Sequence, residues 1–222
     1  MNENIKKVFI QLILDFQADH WPVPVKRDIV LLKFPPNIRK AVVLIGMRRS
    51  GKTWALYQQM QDLLSRGVDK RKIVYINFED DRLLPLKSKD LQAILDAYFE
   101  LYPQWVNDKD IHFFFDEIQE VQGWEIFIRR LLDQEKMAIF ITGSSSKMLS
   151  KEIASVLRGR TVVQEVFPFS FKEYLRFKNI AYSSRMSTKQ KALISHQANQ
   201  YLKYGGFPEA VAKYRHILCA AI

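Results

Sequence analysis

The chain has 222 residues, one cysteine, and a formal net charge of +10 from 34 Lys and Arg against 24 Asp and Glu. That length holds one mid-sized domain with a smaller addition, and a composition that is 48% apolar can pack a core without covalent staples. A lone Cys219 excludes an internal disulfide, and with it a disulfide-stapled secreted scaffold.

The sequence opens with MNENIKKVFIQLILDF, which has the basic-then-apolar look of a signal peptide. Gln11 and Asp15 interrupt the run, however, and no small-residue cleavage site follows. Ile5, Val8, Phe9, Leu12 and Phe16 fall at helical spacing and predict one face of an amphipathic helix. No stretch approaches the roughly 18 consecutive apolar residues of a membrane span. We therefore expect a cytoplasmic protein with no membrane partner. Pro22, Pro24, Pro35 and Pro36 mark an irregular lead-in.

From there apolar runs alternate with helical patterns. The predicted strands are AVVLI (41–45), KIVYINF (72–78), IHFFF (111–115), MAIFIT (137–142) and RTVVQEV (160–166). Helices are predicted for KTWALYQQMQDLLSRG, for LQAILDAYFELY ended by Pro103, for WEIFIRRLLDQ and for MLSKEIASVL. In the first of these, Trp54, Tyr57 and Met60 form a face for which core packing is the default. Such alternation means crossover units on a mainly parallel sheet, hence an α/β fold with helices on both sides. From about Ser170 the pattern turns helical: SFKEYLRF, TKQKALISHQANQYLKY, then a helix opening at Pro208. The expected organisation is a helix and lead-in over 1–36, a phosphate-binding α/β domain over 37–168, and a helical appendage over 169–222.

Gly46-x4-Gly51-Lys52-Thr53 follows a buried strand and opens a helix, which is where such a motif can cradle phosphate. Its glycines let the backbone curl so that successive N–H groups form an anion nest at a positive helix terminus. Candidate cofactor-binding residues run through Gly46, Met47, Arg48, Arg49, Ser50, Gly51, Lys52, Thr53 and Trp54. Lys52 offers a full charge to the β- and γ-phosphates of a nucleotide, and Thr53 a hydroxyl to Mg²⁺. Arg48 and Arg49 add charge near the γ-phosphate or face a partner.

The IHFFF strand delivers Asp116 and Glu117 at its carboxyl edge, where open α/β sheets bind ligands. Asp116 suits holding Mg²⁺ or its water, and Glu117 suits polarising an attacking water. One strand on, Thr142 or Ser144 offers a hydroxyl to the γ-phosphate or the lytic water, with Ser144 carried as the candidate. Turn chemistry and capping explain that stretch equally well. The four histidines, His20, His112, His196 and His216, lack metal-ligand spacing.

Together these features resemble the AAA+-like branch of P-loop ATPases. More closely, they are similar to prokaryotic ATP-binding proteins with an AAA domain, related to the archaeal ATPases and the STAND group. The resemblance rests on GMRRSGKT, YINFED, FFFDEIQ, FITGSSS, LRGR, FPFSFKEYL and YGGFPEA, and covers about residues 40 to 212. It implies a P-loop ATPase fold, with ATP and Mg²⁺ as cofactors. It implies too that Pro208, in Gly206-Phe207-Pro208, packs near the adenine and reports nucleotide state. Arg160 or Arg158 would be a finger arginine, reaching the site of a neighbour in a homo-oligomer. Members of that family usually continue into a further carboxyl-terminal domain, so this chain is expected to be a truncated piece or a shortened member.

The leading expectation is an ATP-hydrolysing, nucleotide-driven switch. The alternatives are a nucleotide-dependent scaffold or DNA-binding module, and a small-molecule kinase; no Asn-Lys-x-Asp guanine reader points to GTP. Nucleic acid enters as a candidate partner because residues 151–222 carry 12 Lys and Arg against 4 Asp and Glu. A solvated surface explains that charge as well.

Overall fold

A computed structural model of the protein describes residues 3–29, 40–108, 110–134, 137–144, 157–183 and 185–213. Five strands, β1 (Ala41–Gly46), β2 (Ile73–Asn77), β3 (His112–Asp116), β4 (Ala138–Ser144) and β5 (Thr161–Glu165), form one sheet in the order β2-β3-β4-β1-β5. All four pairings are parallel, so the expectation of a mainly parallel sheet is met in full. Around it lie α1 (Glu3–Ala18), α2 (Lys52–Ser65), α3 (Gln92–Leu101) and α4 (Trp124–Gln134). Then come α5 (Phe171–Phe177), α6 (Thr188–Tyr204) and α7 (Pro208–Lys213). The helix predicted over 148–157 falls outside the described residues except for Leu157, which is buried in a turn.

Continuous apolar strands are what a sheet covered on both faces requires. In β1 every residue is buried, and the two-residue alternation sends its side chains to opposite layers. Val43 and Ile45 join Phe113, Phe115, Ile139 and Ile141 beneath α1, α3 and α4. Val42 and Leu44 join Phe114 and Phe140 beneath α2 and Trp21. Phe114 and Phe140 stack with centroids 4.6 Å apart and planes 7° off parallel. Helix α1 places Phe9 and Ile13, both with no solvent exposure, in the same layer as α3. Each such burial contributes about 1.5–3 kcal/mol relative to exposure. No helix among the described residues is long and apolar enough to cross a membrane.

The appendage has its own small core of Phe169, Tyr174, Leu175 and Val211. Ser170 begins α5 with a capping box, its hydroxyl taking the Glu173 N–H while the Glu173 carboxylate takes the Ser170 N–H. Ser187 and Gln190 cap α6 in the same manner. Pro208 opens α7, where its missing N–H and fixed φ cost nothing. The turn before that helix is pinned to the chain that leads into α5, where the Phe169 N–H donates to the Gly206 carbonyl at 2.8 Å.

One ion pair ties these regions together. Arg27, in the lead-in after α1, is 4% exposed and donates through Nε to Glu173 Oε1 at 2.9 Å. The same carboxylate accepts the Asp28 and Ser170 amides, each at 2.8 Å. Burial pushes the Glu173 carboxyl up, but these donors, Arg27 first, hold it below the ordinary glutamate value of 4.5.

A lowered folded-state value means stability present above the unfolded value and lost as the pH falls through the folded one. Glu173→Gln removes that dependence. Denaturant melts between neutral pH and about pH 3 should show the parent losing more stability than the variant. Equal losses would assign acid sensitivity elsewhere.

Candidate phosphate-binding site

The parallel sheet aligns its carboxyl ends, so the loops leaving β1, β3 and β4 meet at one edge. Register puts Gly46 opposite Ser144 and Asn77 opposite Asp116. The loop from β1 to α2 turns tightly, with Arg49 at φ +66° and Gly51 at φ +100°. Gly46 is needed for space, because a Cβ there would lie 2.4 Å from the Val166 carbonyl oxygen. Ser50 is buried, and among the described residues its Oγ has no hydrogen-bond partner.

Lys52, the first residue of α2, is 4% exposed and turns its Nζ back into the loop. The nitrogen lies 3.4 Å from both the Gly46 and Met47 carbonyl oxygens and 3.6 Å from Glu117 Oε1. The loop's cation and the acidic strand end therefore share one space. Met47, Arg48 and Arg49 are exposed on the outer side of the loop. Arg48 pairs with Glu79 at 3.1 Å and Arg49 with Glu209 of α7 at 3.2 Å.

Asp116 ends β3 at 1% exposure. Burial pushes its carboxyl up, against hydrogen bonds from the Thr142, Tyr75 and Thr53 hydroxyls, and burial prevails. Tyr75 donates to Oδ2 at 2.8 Å and Thr142 to Oδ1. Burial, and then Asp116 itself, drive the Tyr75 phenol strongly upward, so it stays protonated as a donor. Glu117 follows in the left-handed region at φ +52°, a turn that swings its side chain away from the strand line. Its N–H donates to Thr142 Oγ1 at 3.0 Å and its Oε2 accepts from Gln119 at 2.6 Å.

The two hydroxyl candidates occupy different positions. Thr142 has no exposure, and its oxygen both donates to Asp116 and accepts from the Glu117 amide. It locks the acidic turn. Ser144 is the last residue of β4, beside Gly46 by register. Pro208 arrives from the appendage: its Cγ lies 3.7 Å from where a Cβ on Gly51 would stand.

Other expectations fall elsewhere. Trp54 does not pack in the core with Met60; it is 46% exposed while Met60 is fully buried. Three-residue steps rotate about 60° short of a full turn each, so Trp54 and Met60 differ by about 120° around α2. Arg158 and Arg160 lie in the turn before β5, at the amino edge of the sheet. That edge is roughly 16 Å from the cradle, the length of β1. Arg160 there binds Asp133 of α4 at 2.8 Å. His112 Nδ1 lies 3.1 Å from the Asp110 carbonyl, and burial lowers its pKa, which agrees with a satisfied strand residue.

Two contributors have roles to which no motif in the sequence points. Tyr75 reaches Asp116 from the neighbouring strand, 41 residues away in sequence, and reads there as ordinary strand composition. Arg27 donates through Nη1 to the Ser50 carbonyl at 3.2 Å from an irregular stretch without a motif.

A family model described as an AAA domain matches residues 38–175. An uncharacterized protein of Methanocaldococcus jannaschii is 42% identical over 205 residues, 92% of this chain and 43% of that protein. An uncharacterized protein of Haemophilus influenzae is 37% identical over 170 residues, 76% of this chain and 40% of that one. The chain therefore spans about two fifths of the length of these curated relatives. Among solved structures, AMPPCP-bound DnaA from Aquifex aeolicus aligns with a TM-score of 0.51 at 14% identity, over 84% of this chain and 57% of that one. C. elegans PCH-2 aligns with the same TM-score of 0.51 at 14% identity, over 98% and 62%. At such identity the likeness is one of fold.

Thr142→Val keeps the shape but strands a buried carboxylate oxygen and the Glu117 amide. Urea denaturation should show a loss of about 1–3 kcal/mol. A variant as stable as the parent would refute a locking role for this hydroxyl.

Proposed function

The chain belongs to the AAA-domain family, and from that premise we propose that it binds Mg-ATP in the loop 46–52 and hydrolyses it as a nucleotide-driven switch. The observation that carries this reading is the meeting of Lys52, Thr53, Asp116 and Glu117 at one sheet edge, with Lys52 Nζ 3.6 Å from Glu117. The unpartnered Ser50 Oγ and the anion-favouring terminus of α2 fit an incoming phosphate.

The donor set fits Mg²⁺. Among the described residues no three His, Cys, Asp or Glu gather into a cage, and Mg²⁺ characteristically takes one or two protein oxygens plus waters and substrate phosphates. Thr53, hydrogen-bonded to Asp116, would hold it with that carboxylate. Bound there, the ion neutralises charge on the phosphate oxygens. Lys52 binds the β- and γ-phosphates, exchanging its carbonyl contacts for anionic oxygens. Glu117, turned out of the strand and oriented by Gln119, orients a water and takes its proton. Ser144, beside Gly46 by register, would offer its hydroxyl to the γ-phosphate or the lytic water, and Pro208, near Gly51, would pack against the nucleotide. Arg49, bound to Glu209, gives the nucleotide a route to the appendage.

A second reading, nucleotide binding with little hydrolysis by a single chain, draws support from Arg160. It is paired at the opposite edge, so it could serve only a neighbouring subunit's site in a homo-oligomer. A nucleic acid partner for the basic segment 151–222 belongs with this reading.

Calorimetry with Mg-ATP should register binding by the parent and a loss of about a hundredfold or more in Lys52→Ala, which removes a charged phosphate contact from a desolvated site. No heat from the parent would sink the reading. Glu117→Gln should retain binding while turnover falls by ~10²–10⁴, measured as phosphate release; unchanged turnover would remove Glu117 from the chemistry.

A further inference from the structure

We propose, resting on the nucleotide reading above, that Arg27 is a positioning residue for phosphate. It aims the Gly51 amide of the cradle and makes that aim depend on the seating of the appendage. Arg27 sends its three side-chain nitrogens to three segments. Nε reaches Glu173 of α5 at 2.9 Å, Nη1 the Ser50 carbonyl at 3.2 Å and Nη2 the Phe167 carbonyl at 2.7 Å. Its guanidinium carbon lies 4.8 Å from the Phe169 ring centroid. The backbone of Arg27 is pinned as well: its N–H donates to Gln58 Oε1 at 2.6 Å and its carbonyl accepts Gln58 Nε2 at 3.3 Å. The side chain is therefore held from both ends, with α2 on one side and α5 on the other.

A trans peptide is planar, and its C=O and N–H point in opposite directions. Anchoring the Ser50 carbonyl to Arg27 thus turns the Gly51 N–H away from Arg27, to the inner side of the loop. An anion nest works only when such amides converge. Gly51 suits this arrangement twice over. Its φ of +100° is one that side-chain-bearing residues rarely adopt, and a Cβ would stand 2.9 Å from Arg27 Nη1. Arg27 touches no expected ligand atom, so its action on phosphate passes through the peptide it holds.

The dependence on the appendage follows from charge. A buried guanidinium without its carboxylate is an uncompensated buried ion, whose cost is large. Glu173 supplies that carboxylate from the first turn of α5, beyond β5 in sequence. With α5 displaced, Arg27 cannot stay buried against Ser50, and the cradle loses its brace. Affinity for phosphate and docking of the appendage are then one equilibrium, each favouring the other.

Arg27→Lys tests this. One ammonium cannot serve three separated acceptors, yet it keeps the charge beside Glu173. Calorimetry with Mg-ATP and with adenosine should show affinity for ATP reduced by about ten- to a hundredfold, with adenosine unaffected because it carries no phosphate. Equal losses for both ligands, or no loss for either, would mean that Arg27 is only a staple. Should the variant fail to fold, hydrogen exchange on the unsubstituted protein decides. Mg-ATP must then slow amides across 167–175 together with those of 46–53, and protection confined to the loop overturns the coupling. A parent that binds no ATP fails the nucleotide reading itself; a parent that binds while Arg27→Lys matches it fails only this inference.

Discussion

Parallel pairing is the constraint on which the rest depends. Because all five strands run the same way, every strand ends at the same edge, and side chains far apart in sequence arrive together without any long excursion of the chain. Gly46, Asp116 and Ser144 are strand-terminal residues of three different strands. The core layers of Val, Ile, Leu and Phe hold that register, since a slip by one residue would exchange the two buried faces. The strand ends are positioned by the buried layers beneath them, in which every residue of β1 is covered.

The cations around the cradle divide into two kinds. Arg48 and Arg49 are 85% and 72% exposed and pair directly with Glu79 and Glu209 at the solvent-facing surface; such contacts contribute about 0–1 kcal/mol and exchange partners readily. Lys52 and Arg27 are each 4% exposed and surrounded by fixed acceptors. The first kind can change partners, while the second is fixed by the chain around it.

Much of this was legible in the sequence wherever the chemistry is local. The glycine loop, its lysine and threonine, the five strands and the Asp116-Glu117 strand end all read directly, since each needs particular residue types within a few positions. Distance defeated the reading elsewhere. Tyr75 and Arg27 act through partners 41 and 146 residues away, and neither sits in a pattern that announces it. The capping box of Ser170 and Glu173 is local, but nothing in that short pattern tells of the guanidinium sharing the carboxylate. Trp54 misled because the spacing linking it to Tyr57 and Met60 drifts around the helix, away from the stripe of Leu56, Met60 and Leu63 that faces the sheet.

The 146-residue separation between Arg27 and Glu173 also sets an order of events during synthesis. Chains emerge from the ribosome amino end first, so the glycine loop leaves the tunnel more than a hundred residues before its brace can be completed. A nascent chain long enough to display the loop still lacks the acid that secures the buried arginine. On the proposed role of Arg27, competence for polyphosphate would wait until translation has passed α5.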